Sequence, residues 1–136
     1  MFITYRIDAI PRPQGSKRHV GGGIMLESSK HVANWRAFAR LCAVQAMQGK
    51  EIAAKGTPVR LVVRFRFDRP QKHYNSKGLK SDAAMFHVSK PDSDKLLRAL
   101  LDSMSGVVFY DDSQVCELSI DKCYDKSAHT QVEVKW

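Results

Sequence analysis

Asp92 and Asp94 are separated by a single serine, at the point where Lys90 and Pro91 lead an extended segment into an apolar-periodic run. That spacing lets both carboxylates project from one short stretch at a helix start. Two carboxylates about 4 Å apart repel by roughly 4 kcal/mol at an effective dielectric of about 20, and a helix dipole offsets only about 1 kcal/mol of that. A divalent cation resolves the conflict. Magnesium suits such a pair, because it takes hard oxygen ligands, often only one or two of them protein carboxylates, and keeps positions for water and a substrate phosphate. Those are the needs of phosphodiester hydrolysis. The alternative for Asp-x-Asp is an ordinary helix N-cap followed by a first-turn acid.

Further along the same run, Asp94, Arg98 and Asp102 fall at successive i, i+4 steps and form a polar stripe. Arg98 is then either a helix ion-pair partner or a cation available to the scissile phosphate. A second acidic pair, Asp111 and Asp112, follows the apolar run Val107 to Tyr110. It is expected to return against the helix start and supply a third carboxylate, although Asp-Asp before Ser-Gln also reads as a turn.

The elements that must hold these groups follow from periodicity. Residues 2–8 alternate, with Ile3, Tyr5 and Ile7 on one side, and predict a strand that Pro11 and Pro13 end. A glycine-rich basic loop from Gln14 to Gly23 carries Lys17, Arg18 and His19. Val32, Trp35, Ala39, Ala43 and Ala46 predict a helix over 29–48, with Ser28 or Ser29 as N-cap and Gly49 as the stop. Val59, Leu61, Val63, Phe65 and Phe67 alternate with Arg60, Val62, Arg64 and Arg66, which predicts a strand with one core face and one arginine face. Those arginines must meet water, carboxylates or phosphate. Residues 68–82 read as a long basic loop, and 84–88 as a short extended segment. Leu96, Leu97, Leu100, Leu101 and Met104 predict a helix over 93–104 that Gly106 terminates. Strands follow over 114–124, with Cys116, Leu118 and Ile120 on one face, and over 129–136. The order β, α, β, α, β, β implies one α+β domain over 1–136, a two-layer sandwich with two main helices packed on a mixed or antiparallel sheet.

Composition narrows the function classes. The chain has 136 residues, 22 Lys and Arg against 14 Asp and Glu, and a net charge of +8. That surplus points to a polyanionic partner, nucleic acid first. No stretch approaches the about 20 apolar residues of a membrane span, and the N-terminus has no signal-peptide pattern, so a soluble cytoplasmic protein with no membrane partner is expected. Cys42, Cys116 and Cys123 lack a CxxC pair, and the histidines lack HxxxH or HExxH spacing. Neither a disulfide framework nor a zinc site is indicated.

The stretch Lys90 to Val115, K-P-D-S-D-K-L-L-R-A-L-L-D-S-M-S-G-V-V-F-Y-D-D-S-Q-V, resembles the RusA family of Holliday-junction resolvases. That family carries D-x-D-N, a basic residue four positions after the second aspartate, an aspartate four further on, and D-D-x-Q-V after a short hydrophobic run. The resemblance extends more loosely to Ile10–Val20, similar to the family's basic loop, and to Ser29–Gln45, similar to its first helix. It implies that Asp92, Asp94 and Asp112 are metal-binding catalytic aspartates, with Asp111, Asp102 and Lys95 in support. Arg98 stands where the family usually has a catalytically important lysine, and Lys95 where it usually has asparagine.

The activity implied is Mg²⁺-dependent cleavage of four-way DNA junctions, with Mn²⁺ able to substitute, by a symmetric homodimer that nicks opposed strands in recombination and repair. A bacterial or phage-infected cell is the implied setting. Lys17, Arg18, Arg60, Arg64, Arg66, Lys72, Lys77 and Lys80 are the expected phosphate contacts. The alternatives are a junction-binding protein disabled by Lys95 or Arg98, and a nuclease that prefers flaps or forks.

Overall fold

In the computed structural model, residues 1–15, 17–19, 25–27 and 30–136 are described; for 17–19 and 25–27 this extends to the backbone alone. The expected cap at Ser28 or Ser29 lies outside the described residues. Four strands build the main sheet: β1 (Phe2–Ile7), β4 (Val59–Asp68), β7 (Val115–Asp125) and β8 (His129–Lys135), in the order β1-β8-β4-β7. β8 runs antiparallel to both β1 and β4, whereas β4 and β7 are parallel. The sheet is therefore mixed, and with its two helices the domain is α+β as the sequence implies.

Alternation decides which face is covered. Val59, Leu61, Val63, Phe65 and Phe67 are buried along β4, together with Val132 and Val134 of β8 and Ile3 and Ile7 of β1. Two helices cover that face. In α1 (Lys30–Met47), Val32, Trp35, Ala39, Ala43 and Met47 recur at helical spacing and are buried, and the helix packs on β1 and on α2. In α2 (Ser93–Met104), Leu96, Ala99, Leu100 and Met104 form the buried stripe. Gly106, at φ +80°, takes the left-handed turn just after α2 and donates its N–H to Phe109 O at 2.7 Å.

Two segments read as loops contain ribbons. β2 (Lys17–His19) pairs with β3 (Met25–Glu27), and β5 (Tyr74–Asn75) pairs with β6 (Gly78–Leu79). Both ribbons have strands of two or three residues, too short for hydrophobic periodicity to mark them. The extended segment expected near 84–88 lies along the outer edge of β7. Tyr124 N–H donates to Met85 O and His87 N–H to Lys122 O, each at 2.9 Å. His87 stacks on Phe67 with ring centroids 4.0 Å apart and meets Tyr124 edge-on.

Burial, then the nearby Lys122 charge, holds His87 below its ordinary pKa, and burial with the Arg69, Lys72 and Lys80 charges does the same for His73. The unfolded chain therefore binds protons first as pH falls below 6.5, and the stability held by the neutral rings is lost down to their lowered folded values. Urea unfolding should show stability falling from about pH 7 to about pH 5, with a shallower fall in His87→Phe, which keeps the stack and cannot protonate.

Candidate active site

The segment preceding α2 delivers Asp92 in extended conformation, φ −72° and ψ 144°, to the N-cap position. Its backbone carbonyl accepts the Leu96 N–H at 3.1 Å, but its carboxylate makes no capping hydrogen bond. An Asp N-cap normally contributes about 1 kcal/mol through that bond. Here the carboxylate is exposed. Asp94, in the first turn, is also exposed, and among the described residues neither it nor Arg98 forms an ion pair. The i, i+4 bridges that Arg98 could make to Asp94 and Asp102 are not formed, which leaves the guanidinium open to solvent. Lys95 is half-buried, and its carbonyl accepts the Gln14 N–H at 3.0 Å, tying the loop after β1 to the first turn of α2.

Asp111 and Asp112 are set by a different device. Asp111 caps the single 3-10 turn Asp112–Gln114 and accepts the Ser113 N–H. The Gln114 amide oxygen accepts the N–H groups of Tyr110 (2.9 Å) and Asp111 (3.1 Å), while its NH₂ donates to Ala54 O (2.9 Å) and Thr57 O (3.1 Å). One side chain thereby splints the acidic turn to the loop before β4. The Ser113 N–H holds the Asp111 carboxyl below the usual range. A hydrogen bond with Asp111, then burial and the charges of Asp111 and Asp102, push Asp112 up. A carboxylate in that surrounding gains from a cation.

The five acids form two groups. Asp92 and Asp94 lie at the start of α2, whereas Asp112 lies with Asp111 in the field of Asp102. Eight residues separate Asp94 from Asp102, about 12 Å along a helix. Asp112 is expected against the helix start, but the short turn after Met104 returns the chain beside the helix end. Among the described residues no three Asp, Glu, His or Cys side chains gather as a ready metal cluster.

The basic residues divide as well. Arg60 pairs with Glu117 at 3.1 Å, Arg64 with Glu133 at 3.2 Å, and Arg66 with Asp121. These pairs lie on the sheet face opposite the helices, so of the three fates open to that arginine row the structure has carboxylates. Lys72, Lys77 and Lys80 are exposed, on or near the β5–β6 ribbon. Lys17 and Arg18 lie in β2, with their side chains outside the described residues. A cleft of about 410 Å³ beside Asp92 is lined by Arg12, Lys90 and Lys95 over an apolar floor that includes Phe67 and Pro91.

Three structurally engaged residues escape a sequence reading. Gln114 had no assigned role within D-D-x-Q-V. Arg69 donates to Ala84 O at 2.6 Å and lies over Tyr124, stapling the basic loop. Lys122 continues the Leu118–Ile120 side of β7, and its one signal is a charge interrupting an apolar alternation. Truncating Gln114 to Ala should cost about 1 kcal/mol, since its hydrogen-bond partners are exposed or half-buried and can turn to water. Hydrogen exchange should quicken at Tyr110 and Asp111, and unchanged exchange there would mean the splint does not hold the turn.

Comparisons with known proteins agree with these features. The sequence model of the family described as Endodeoxyribonuclease RusA matches residues 7–135. An uncharacterized protein of Bacillus subtilis strain 168, YqaN, is 28% identical over 127 residues, covering 91% of this chain and 86% of that protein. The crossover junction endodeoxyribonuclease rusA of Lactococcus phage r1t is 26% identical over 135 residues, covering 97% and 95%. With the match running from the end of β1 to the end of β8 and taking in both acidic groups, the chain belongs to the RusA endodeoxyribonuclease family.

Proposed function

We propose that this protein is a magnesium-dependent endodeoxyribonuclease that resolves four-way DNA junctions, with Asp92, Asp94 and Asp112 as metal ligands. The observation that carries this reading is the N-cap aspartate that does not cap, beside a second free carboxylate and an unpaired arginine. Family membership supports DNA cleavage, and the Lactococcus phage relative is named for the crossover junction.

The donor set is all carboxylate oxygen and mostly exposed, which fits a hard, partly hydrated cation, with manganese an adequate substitute. When bound, magnesium supplies an activated water and positive charge for the scissile phosphate. The chain's own residues do the rest. Asp92 and Asp94 present their carboxylates from a rigid helix start. Arg98, one turn on, offers its guanidinium to the charge that develops at phosphorus. Arg12, Lys90 and Lys95 line the cleft beside Asp92 and can hold the strand entering the site. Lys72, Lys77 and Lys80 extend that cationic surface.

A symmetric homodimer fits both the substrate and the separation of the acids. About a two-fold axis a surface meets its own reverse. The Asp102–Asp112 end of one chain can then lie against the Asp92–Asp94 start of the other. No helix of the described residues is long and apolar enough to cross a membrane.

Purified protein with a labelled four-way junction and magnesium should give paired nicks, faster than on flaps or forks. Junction binding without cleavage in magnesium or manganese would overturn the enzyme reading. Asp92→Asn and Asp94→Asn should each abolish cleavage while melting temperature and junction affinity stay near those of the parent, because no core contact is lost.

The dimer has its own test. Asp92→Asn and Asp112→Asn proteins, each inactive alone, should regain nicking when mixed and allowed to exchange subunits, since one of the two shared sites is then intact. A mixture that exchanges and stays inactive would place each site within one chain.

A further inference from the structure

We infer that Lys122 is a positioning residue for the metal site, fixing the backbone that aims Asp92 and setting a positive charge beside it. This rests on the reading of Asp92 as a metal ligand.

Lys122 lies opposite Phe65 in the parallel β4–β7 register and so shares the sheet face that the helices cover. The residue is half-buried. The ammonium donates to Ser89 O and Pro91 O, both at 2.7 Å. The Lys122 carbonyl accepts the His87 N–H at 2.9 Å. A single residue on the sheet thus pins residues 87, 89 and 91.

The Pro91 carbonyl belongs to the peptide plane that ends at the Asp92 nitrogen, so fixing it fixes the direction in which the Asp92 side chain leaves the backbone. The result is the extended, non-capping geometry of Asp92. An ammonium has three N–H donors, and two go to carbonyls. Asp92 is the acid whose charge is felt at Lys122, opposing the downward pull of burial on its pKa. Burying a lysine only to bind two carbonyls is unfavourable, and a neutral donor would serve those carbonyls as well. A cation at that place also offsets the Asp92–Asp94 repulsion before a metal arrives. Lys90 and Lys95 line the cleft beside Asp92, whereas Lys122 alone of the three bonds the backbone that leads into it.

The experiment compares Lys122→Met and Lys122→Arg with the parent and with Asp92→Asn in junction cleavage across a magnesium titration, with junction affinity measured in calcium and thermal melting measured alongside. Lys122→Met should raise the half-saturating magnesium concentration and lower the maximal rate, each by about 10-fold or more, the range found when groups supporting metal ligands are removed. Junction affinity should stay within about two-fold of the parent. Lys122→Arg should recover most of both parameters, having charge and donors but a different shape. If Lys122→Met melts too early to assay, Lys122→Gln, which keeps donors for the two carbonyls and removes the charge, should raise the half-saturating magnesium concentration, and a parent-like magnesium dependence in it would overturn the role of the charge.

A magnesium dependence and rate equal to the parent, with Asp92→Asn inactive, would overturn the positioning role and leave the metal site standing. Weakened junction binding at unchanged magnesium dependence would overturn it as well, making Lys122 a DNA contact. Full activity of Asp92→Asn would instead remove the metal-site reading on which it rests.

Discussion

Parallel neighbouring strands cannot be joined by a hairpin, because the chain must return to the end of the sheet from which it started. β4 and β7 are such a pair, and residues 69–114 are the connection that their pairing demands. Nearly everything that could do chemistry lies on it: the basic ribbon, the segment along the edge of β7, α2 with its carboxylates, and the acidic turn before β7. The sheet supplies the fixed points. Lys122 on β7 holds the chain as it enters α2, and Gln114 holds it as it leaves. The crossover is thus tied down at both ends of the helix that carries the acids.

The electrostatics at the two ends differ. At the helix start the carboxylates are exposed and make no bonds of their own, with Lys122 and Lys95 close by. At the helix end, Asp111 and Asp112 share a hydrogen bond, so one of the pair is held down and the other up. Like charges are tolerated because each group has a local compensation: a cation near the first, hydrogen bonds from backbone donors at the second.

Most of the main sheet and both helices could be read from the sequence, because each has a buried face written at a period of 2 or 3.6 residues. Val59 to Phe67 and Leu96 to Met104 are the clearest cases. The β2–β3 and β5–β6 ribbons could not, since strands of two or three residues are too short for periodicity to register. Within the site, the roles of Asp92, Asp94 and Arg98 were expectations from the family resemblance, and their positions at the start of and along α2 were legible from spacing. The placement of Asp112 was not, because it depends on where a six-residue turn returns the chain. The arginine row was read correctly as a face that needs partners, but which partners depended on the neighbouring strands. Glu117, Asp121 and Glu133 are far from Arg60, Arg64 and Arg66 in sequence and adjacent only after the sheet forms.

Those three ion pairs also shape how the molecule behaves at a distance. On the outer face of the sheet each arginine is matched by a carboxylate, so that face contributes little to the net charge of +8. The surplus lies elsewhere, at Arg12, along α1 at Lys30, Arg36 and Arg40, and along the crossover from Arg69 to Lys95. The protein is electrically two-sided. In the field of a polyanion such a body experiences a torque as well as an attraction, and it rotates before it touches. The neutralised sheet face trails, and the helix-covered side, which bears Asp92 and Asp94, turns towards the polyanion.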